Sequence, residues 1–304
     1  MTRTDPVSLV LSIQGLSKTY ANGVRALSDV TLDVPTGMFG LLGPNGAGKS
    51  TLMRTIATLQ EADSGSITLD GVDVLRDKDR VRHLLGYLPQ EFGVYPRVSA
   101  EDMLGHLAVL KGLTRRGERK DALEALLRQT NLWEHRKKKL GTFSGGMRQR
   151  FGIAQALLAD PRMVIVDEPT AGLDPEERMR FLNLLSELGE NIVVILSTHI
   201  VEDVSDLCSR MAILSRGELV LTGSPSEAVE RLRGRVWTRA VERDEVAAHQ
   251  ERFRVLSTRL QGGRTVIHVL SDDAPDGFET VEPDLKDVYF AALRRAADPA
   301  AAAA

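Results

Sequence analysis

The chain has 304 residues, is 42% hydrophobic and 27% charged, and carries a formal net charge of −3. This length suffices for one large α/β domain and a smaller appendage, and the balance excludes both a disordered chain and a strongly basic nucleic-acid binder. Cys208 is the only cysteine, so an intrachain disulfide is excluded and a buried small hydrophobe is expected. The opening residues, Met1 to Pro6, lack the apolar core of a signal peptide. The apolar runs fall well short of the ~18 residues that a spanning helix needs, so any membrane role is expected to come through a partner.

From Leu9 to about Gly40, apolar and polar residues alternate, as in Val30, Leu32 and Val34 against Thr31 and Asp33. This pattern predicts strands. Phe39 to Leu42 reads as a short buried strand entering Gly43-Pro44-Asn45-Gly46-Ala47-Gly48-Lys49-Ser50, with a helix over Lys49 to Leu59. The glycine loop matches the P-loop pattern in the strand–loop–helix context that the pattern needs. Its glycines let backbone N–H groups wrap phosphates, Lys49 reaches the β/γ oxygens, and the Ser50 hydroxyl ligates Mg²⁺.

Further along, a strand and turn are predicted at Ser66 to Gly71, then a strand over Leu84 to Leu88 running into Pro89-Gln90. The stretch from Ser99 to about Gln129 reads as helical. Ser99 would be its N-cap, with Asp102 three positions on and Met103, Leu107 and Leu110 at helical spacing. Arg136-Lys137-Lys138-Lys139 reads as a solvated charged face.

Ser144-Gly145-Gly146 then opens a second glycine-rich helix start. Unpaired N–H groups and the positive end of the helix dipole make either start an anion site. Only one set of hydrolytic residues accompanies the two sites, which implies that the second serves a nucleotide held by another subunit. That set is the apolar strand Met163-Val164-Ile165-Val166 ending in Asp167-Glu168. Side chains alternate along a strand, so the two carboxylates can take different roles. Asp167 would support Mg²⁺, directly or through water, and Glu168 would polarise the attacking water.

Val164 to Val166 and Ile192 to Leu196 read as buried parallel strands flanking a helix over Pro175 to Leu188, and this alternation predicts a sheet covered by helices. After Gly223 the character changes. Ser224-Pro225-Ser226-Glu227 is a helix start with cap, proline and box acid. Short strands follow at Val236 to Val241, Val255 to Leu260 and Thr265 to Leu270, with a final helix from Pro283 to about Arg295.

Taken in order, Gly43 to Thr51 (Walker A), Gln90 (Q-loop), Ser144-Gly145-Gly146 (signature), Val164 to Glu168 (Walker B), Ala171-Gly172-Leu173-Asp174 (D-loop) and Ser197-Thr198-His199 (switch histidine) resemble the ATP-binding subunit of ABC transporters. The resemblance covers about Leu9 to Gly223. It implies an α/β fold: a P-loop ATPase domain of ABC type, with a mixed-sheet core and a helical subdomain, plus a small C-terminal α+β appendage. The expected limits are 9–228 for the ATP-binding domain, about 91–160 for its helical subdomain, 229–297 for the appendage and 298–304 for a disordered tail.

By this resemblance Tyr20 would stack on adenine, and Gly43 through Thr51 would hold ATP. Gln90 would sense Mg²⁺, together with Ser50 and Asp167, and relay the state to a coupling helix of the membrane partner. Glu168, His199 and Lys49 would be the catalytic residues. Ser144, Gly145, Gly146 and Asp174 would complete the ATP site of the opposing subunit in a head-to-tail dimer. Two departures from the family pattern stand out. Phe143 and Met147 flank the signature where leucine and glutamine are usual, and Ala171-Gly172 replaces Ser-Ala in the D-loop. Both predict tuned kinetics rather than lost activity.

The implied function is an ATP-hydrolysing, energy-coupling subunit on the cytoplasmic side of a bacterial membrane. Its implied partners are permease subunits on separate polypeptides and a second copy of itself or a paralogue, with no nucleic acid and with membrane contact only through the permease. The run Glu282-Pro283-Asp284-Leu285-Lys286-Asp287-Val288-Tyr289 is similar to the tail motif of drug- and antibiotic-resistance exporters of the ABC-2 class, which favours export. The alternative is a soluble ABC-type ATPase acting on nucleic acid or the ribosome. One P-loop, no heptad stretch and no basic excess weigh against it.

Overall fold

The structure is a computed structural model that describes residues 11–297. The expected strand start at Leu9 and the expected disordered tail, 298–304, lie outside the described residues.

Two strands, β1 (Leu11–Thr19) and β2 (Arg25–Val34), pair antiparallel and are followed by β3 (Gly37–Leu42) and helix α1 (Lys49–Ile56). Next come β4 (Ser64–Leu69), β5 (Val72–Asp73), α2 (Lys78–Leu84) and β6 (Leu85–Leu88). A helical layer holds α3 (Ala100–Leu110), α4 (Arg116–Gln129) and α5 (Gly145–Ala156). The chain returns through β7 (Met163–Asp167), α6 (Pro175–Gly189), β8 (Val193–Thr198), α7 (Val201–Leu207), β9 (Arg210–Ser215) and β10 (Glu218–Gly223).

Strands β1, β2, β4 and β5 form one antiparallel sheet in the order β2-β1-β4-β5. The central sheet has the order β10-β9-β3-β8-β7-β6, parallel except for the edge strand β10. One core lies between the two sheets and α1, built from residues such as Ile13, Leu41, Leu52, Ile67 and Ile195. A second core covers the other face of the central sheet with Leu42, Val166, Phe181, Leu185 and Leu196. With both faces covered, β7 has no polar side to show, so Met163 to Val166 are all fully buried and read as an unbroken apolar run.

The helical stretch expected from Ser99 to Gln129 is two helices. Ser99 caps the first, accepting from the Asp102 amide at 3.1 Å, but that helix stops before Gly112. Gly112 has φ 92°, a left-handed conformation that ends helices and that glycine adopts without strain. The charged run 136–139 is more than a solvated face. The backbone carbonyls of Arg136 and Lys138 accept from the Glu101 and Ala100 amides, and the Arg136 guanidinium sits 3.9 Å from the Trp133 ring centroid. The run thus braces the start of α3.

Beyond α8 (Pro225–Glu230), strand β11 (Val236–Val241), α9 (Val246–Arg252), β12 (Arg254–Gln261), β13 (Arg264–Leu270) and β14 (Glu279–Thr280) build a third sheet of order β12-β13-β11-β14. It has its own small cluster around Val241, Val255, Ile267 and Val269. The last helix, α10 (Leu285–Ala297), departs from the expected appendage. Its Leu285, Val288, Tyr289 and Ala292 belong to the core of the large domain, because the amphipathic face pairs with α7, α8, β9 and β10. A division after residue 228 therefore separates sheets but cuts a core.

Asp287 fastens this helix. It is fully buried, and it accepts from His268 Nδ1 at 2.9 Å and from the Asp284 amide at 3.2 Å, while Asp284 accepts from the Asp287 amide at 2.9 Å. On the other side, Lys286 pairs with Glu202 of α7. Replacing Asp287 by Ala should lower unfolding stability by about 2 kcal/mol, because a buried donor and a helix start both lose their acceptor. Chemical denaturation of the two proteins measures it.

Candidate functional site

The register of the central sheet assembles the site. Leu42 lies beside Thr198, and Ser197 lies beside Asp167, so β3, β8 and β7 end level with one another and β6 follows. The loops leaving these four ends carry Gly43 to Ser50, His199, Glu168 and Gln90. The carboxyl ends of parallel strands are where α/β proteins place ligands.

The loop after β3 requires glycine. A Cβ on Gly43 would collide with the Leu214 carbonyl, and one on Gly48, at φ 107°, with the Ala26 carbonyl. Helix α1 starts at Gly48 with no side chain capping it, which leaves its first N–H groups to an anion. Asn45, Gly46 and Ser50 are exposed at the mouth of the loop, while Ala47 and Thr51 are buried. Lys49 is 6% exposed, and its ammonium curls over the loop, donating to the carbonyls of Gly43 (2.6 Å) and Pro44 (3.2 Å). Burial holds its pKa below the usual lysine value, against the opposing pull of Glu168 and Asp167. An anionic ligand in the loop would relieve that desolvation.

Asp167 ends β7 almost buried. Burial, with Glu168 beside it, pushes its carboxyl above the usual range, opposed by the Ser197 hydroxyl and Lys49. A cation beside Asp167 would favour its charged form. Glu168 has φ 46°, a strained position for a non-glycine residue that costs on the order of 1–3 kcal/mol. Its amide is held by the Ser197 carbonyl at 2.8 Å. The resulting turn aims the Glu168 carboxylate between two loops. Gln90 Nε2 donates to its Oε2 at 3.2 Å, and His199 Nδ1 lies 3.3 Å from its Oε1. A carboxylate so placed can accept a proton from a water, while a half-exposed histidine beside it can meet a phosphate oxygen.

The Tyr20 hydroxyl donates to Gln60 at 2.9 Å and lies 3.0 Å from the Thr51 hydroxyl, so the ring flanks the start of α1 with 37% of the residue exposed. Ser144, Gly145 and Gly146 stand apart from this group. Ser144 caps α5, accepting from the Met147 amide at 3.2 Å, and the Ser144 hydroxyl and Gly146 amide also donate to Glu177 on α6. Asp174 caps α6 by accepting from the Glu177 amide at 2.8 Å. The two unusual signature flanks both serve packing. Phe143 is buried edge-on to Phe151, and Met147 packs on the same helical-layer cluster.

The sequence reading missed a buried node. Asp203 is 1% exposed, accepts from Thr170 Oγ1 at 3.0 Å, and receives Arg178 Nε and Nη2 at 3.1 and 2.5 Å. It ties the segment after Glu168 to α6 and to α7, the helix that follows His199. Its position four residues after His199 on a helix was the only signal in the sequence. Glu177, three residues after the cap Asp174, had the signal of a capping box.

The family model for ABC transporters matches residues 27–171. The chain is 40% identical over 197 residues to the linearmycin resistance ATP-binding protein of Bacillus subtilis, a match spanning 64% of this chain and 63% of that protein. It is 36% identical over 232 residues to the doxorubicin resistance ATP-binding protein of Mycobacterium tuberculosis, spanning 75% and 69%. Its fold resembles a dimeric ATP-binding cassette solved in a post-hydrolysis state with ADP and phosphate bound. That match has a TM-score of 0.64 at 25% identity and covers 70% of this chain and 98% of that one.

Replacing Lys49 by Ala should weaken nucleotide binding at least about a hundredfold, or about 2.7 kcal/mol, which is what removing a charge-assisted hydrogen bond costs. Fluorescent-nucleotide titration measures this, and an unchanged affinity would remove Lys49 from the site.

Proposed function

The chain belongs to the ABC transporter family as one of its ATP-hydrolysing subunits, and we propose that it powers a membrane exporter as one half of a nucleotide-sandwich dimer. The permease subunits would be separate polypeptides, as the resemblance to ATP-binding subunits implies; among the described residues no helix is long and apolar enough to cross a membrane. The observation that carries this reading is the convergence of Gln90 and His199 on the Glu168 carboxylate above the glycine loop, with the second phosphate cradle at Ser144 turned to α6 instead.

In this reading Lys49 and the loop amides of 43–50 hold the ATP phosphates, and Tyr20 covers the adenine. Glu168 takes the proton of the attacking water, and His199 steadies the γ-phosphate. Mg²⁺ would supply charge neutralisation at the β/γ oxygens. Ser50, Gln90 and Asp167 offer the oxygen donors a hard cation requires, and Asp167 is the buried carboxyl that a cation would favour. Among the described residues no cluster of three or more His, Cys, Asp and Glu is arranged for a metal. The ion would therefore draw its remaining ligands from phosphate and water, as Mg²⁺ commonly does.

A groove of about 560 Å³ beside the Gln90 strand fits the permease contact. His83, Tyr87, Leu107, Leu110 and Lys111 line it, and Leu110 is 79% exposed. Tyr87 sits on β6, three residues before Gln90, so a helix pressed into the groove would lie against the strand that positions the Glu168 partner. Export is supported by the tail run 282–289, which forms the Asp284–Asp287 cap, and by the two drug-resistance relatives. The net charge of −3 gives no support to the nucleic-acid alternative.

The decisive experiment is Glu168→Gln. It should keep ATP binding, slow turnover by at least about a hundredfold, as loss of a general base does, and accumulate ATP-bound dimers visible by light scattering. Wild-type steady-state turnover would overturn the base assignment. Separately, Ser144→Arg should leave nucleotide binding by the monomer intact while blocking ATP-dependent dimerisation. Normal dimers in that variant would overturn the cross-subunit arrangement.

A further inference from the structure

The second phosphate cradle already contains an anion, and the chain supplies it. Glu177 Oε2 accepts from the Gly146 amide at 3.0 Å, and Ser144 Oγ donates to Glu177 Oε1 at 3.2 Å. These are donors that the sandwich reading assigns to the partner subunit's γ-phosphate. The approach is close enough that a Cβ on Gly146 would collide with the Glu177 carboxylate. A glutamate at the third position of a helix usually turns back to its own cap residue. Glu177 instead crosses to the start of another helix, where its charge meets the positive end of the α5 dipole.

We propose that Glu177 is a specificity-determining residue of the ATPase cycle, a carboxylate that occupies the signature donors while the dimer is open and must be displaced by the partner's γ-phosphate for it to close. This rests on the cross-subunit reading of Ser144 and Gly146. Two anions cannot share the same hydroxyl and amide, so closure is an exchange of carboxylate for phosphate. ATP brings a terminal phosphoryl group with three charged oxygens to make that exchange. ADP lacks this group and leaves Glu177 in place. After hydrolysis and phosphate release the carboxylate returns to its donors, which favours the open state. Arg150, one turn along α5, lies near enough for its charge to interact with Glu177 and gives the displaced carboxylate a counter-charge.

The test uses the full chain in the Glu168→Gln background, with MgATP titrated and dimer formation read by light scattering. Glu177→Ala removes the competing group, and Glu177→Gln keeps its size but removes its charge. Both should dimerise at about tenfold lower ATP, equivalent to about 1.4 kcal/mol, while nucleotide affinity of the monomer stays at the parent value. A residue that merely orients α5 would change dimerisation in the opposite direction. Unchanged or weakened dimerisation in either variant overturns the proposal and leaves the sandwich standing. Absence of ATP-dependent dimers in the Glu168→Gln parent overturns the sandwich itself, and the proposal with it.

Discussion

The parallel register of β3, β8, β7 and β6 is the constraint on which the rest of the molecule depends. Hydrogen bonding of neighbouring parallel strands fixes where each ends relative to the next, and here the ends are level. Leu42 lies beside Thr198, and Ser197 beside Asp167. A one-residue slip in β7 would turn Val166 to the other face of the sheet and move Asp167 away from Lys49. The buried apolar faces on both sides of the sheet forbid such a slip, so core packing is what sets the geometry of the carboxylates. The strained turn at Glu168 is tolerable for the same reason, since its amide is tied to the β8 strand through Ser197.

The site was more legible in the sequence than the fold around it. Short motifs such as Gly43 to Ser50 or Asp167-Glu168 encode backbone conformation and charge locally, so they can be read without knowing what packs where. The convergence of Gln90 and His199 on one carboxylate was not local. It follows from strand order, which places β6 and β8 on either side of β7 although they are far apart in the chain. Asp203 was hidden for a similar reason. A buried carboxylate on a helix looks like any surface acid until Thr170 and Arg178, more than twenty residues upstream, are brought to it. The β9–β10 hairpin also escaped, because Met211 to Ser215 are covered on both faces and lack the alternation that marks a half-buried strand. The helical stretch expected over 99–129 is broken at Gly112, whose left-handed turn separates two helices.

The C-terminal part joins the ATPase domain through one helix rather than through a sheet. Helix α10 has one face in the core shared with α7 and α8, and its first turn is held by Asp284, Asp287 and His268 of the small sheet. Lys286 reaches Glu202 on α7, the helix that begins just after His199. The helix that follows His199 is therefore framed by two charge pairs, the buried Asp203 with Arg178 on one side and the exposed Glu202 with Lys286 on the other. The buried Asp203 pair fixes geometry, because separating it leaves a buried charge without a partner, whereas the exposed Glu202 pair is screened by water and holds only weakly.

The two glycine-rich helix starts, read as phosphate cradles in the proposed function, differ in what already occupies their donors. At α1, the cradle is bounded by backbone that permits no side chain at Gly43 or Gly48, and the cation Lys49 is folded onto loop carbonyls in a desolvated position. In the proposed reading an incoming phosphate there would offset the desolvation of Lys49 and would need only one subunit. At α5, the hydroxyl of Ser144 and the amide of Gly146 are already satisfied by Glu177. A phosphate arriving there must give up its own hydration and also expel a carboxylate, so it gains little until a second surface arrives with it. This difference gives the two events an order. In the proposed sandwich, nucleotide would enter at the first cradle in a single chain, and the second cradle would engage only when a loaded partner presents the terminal phosphate across the interface.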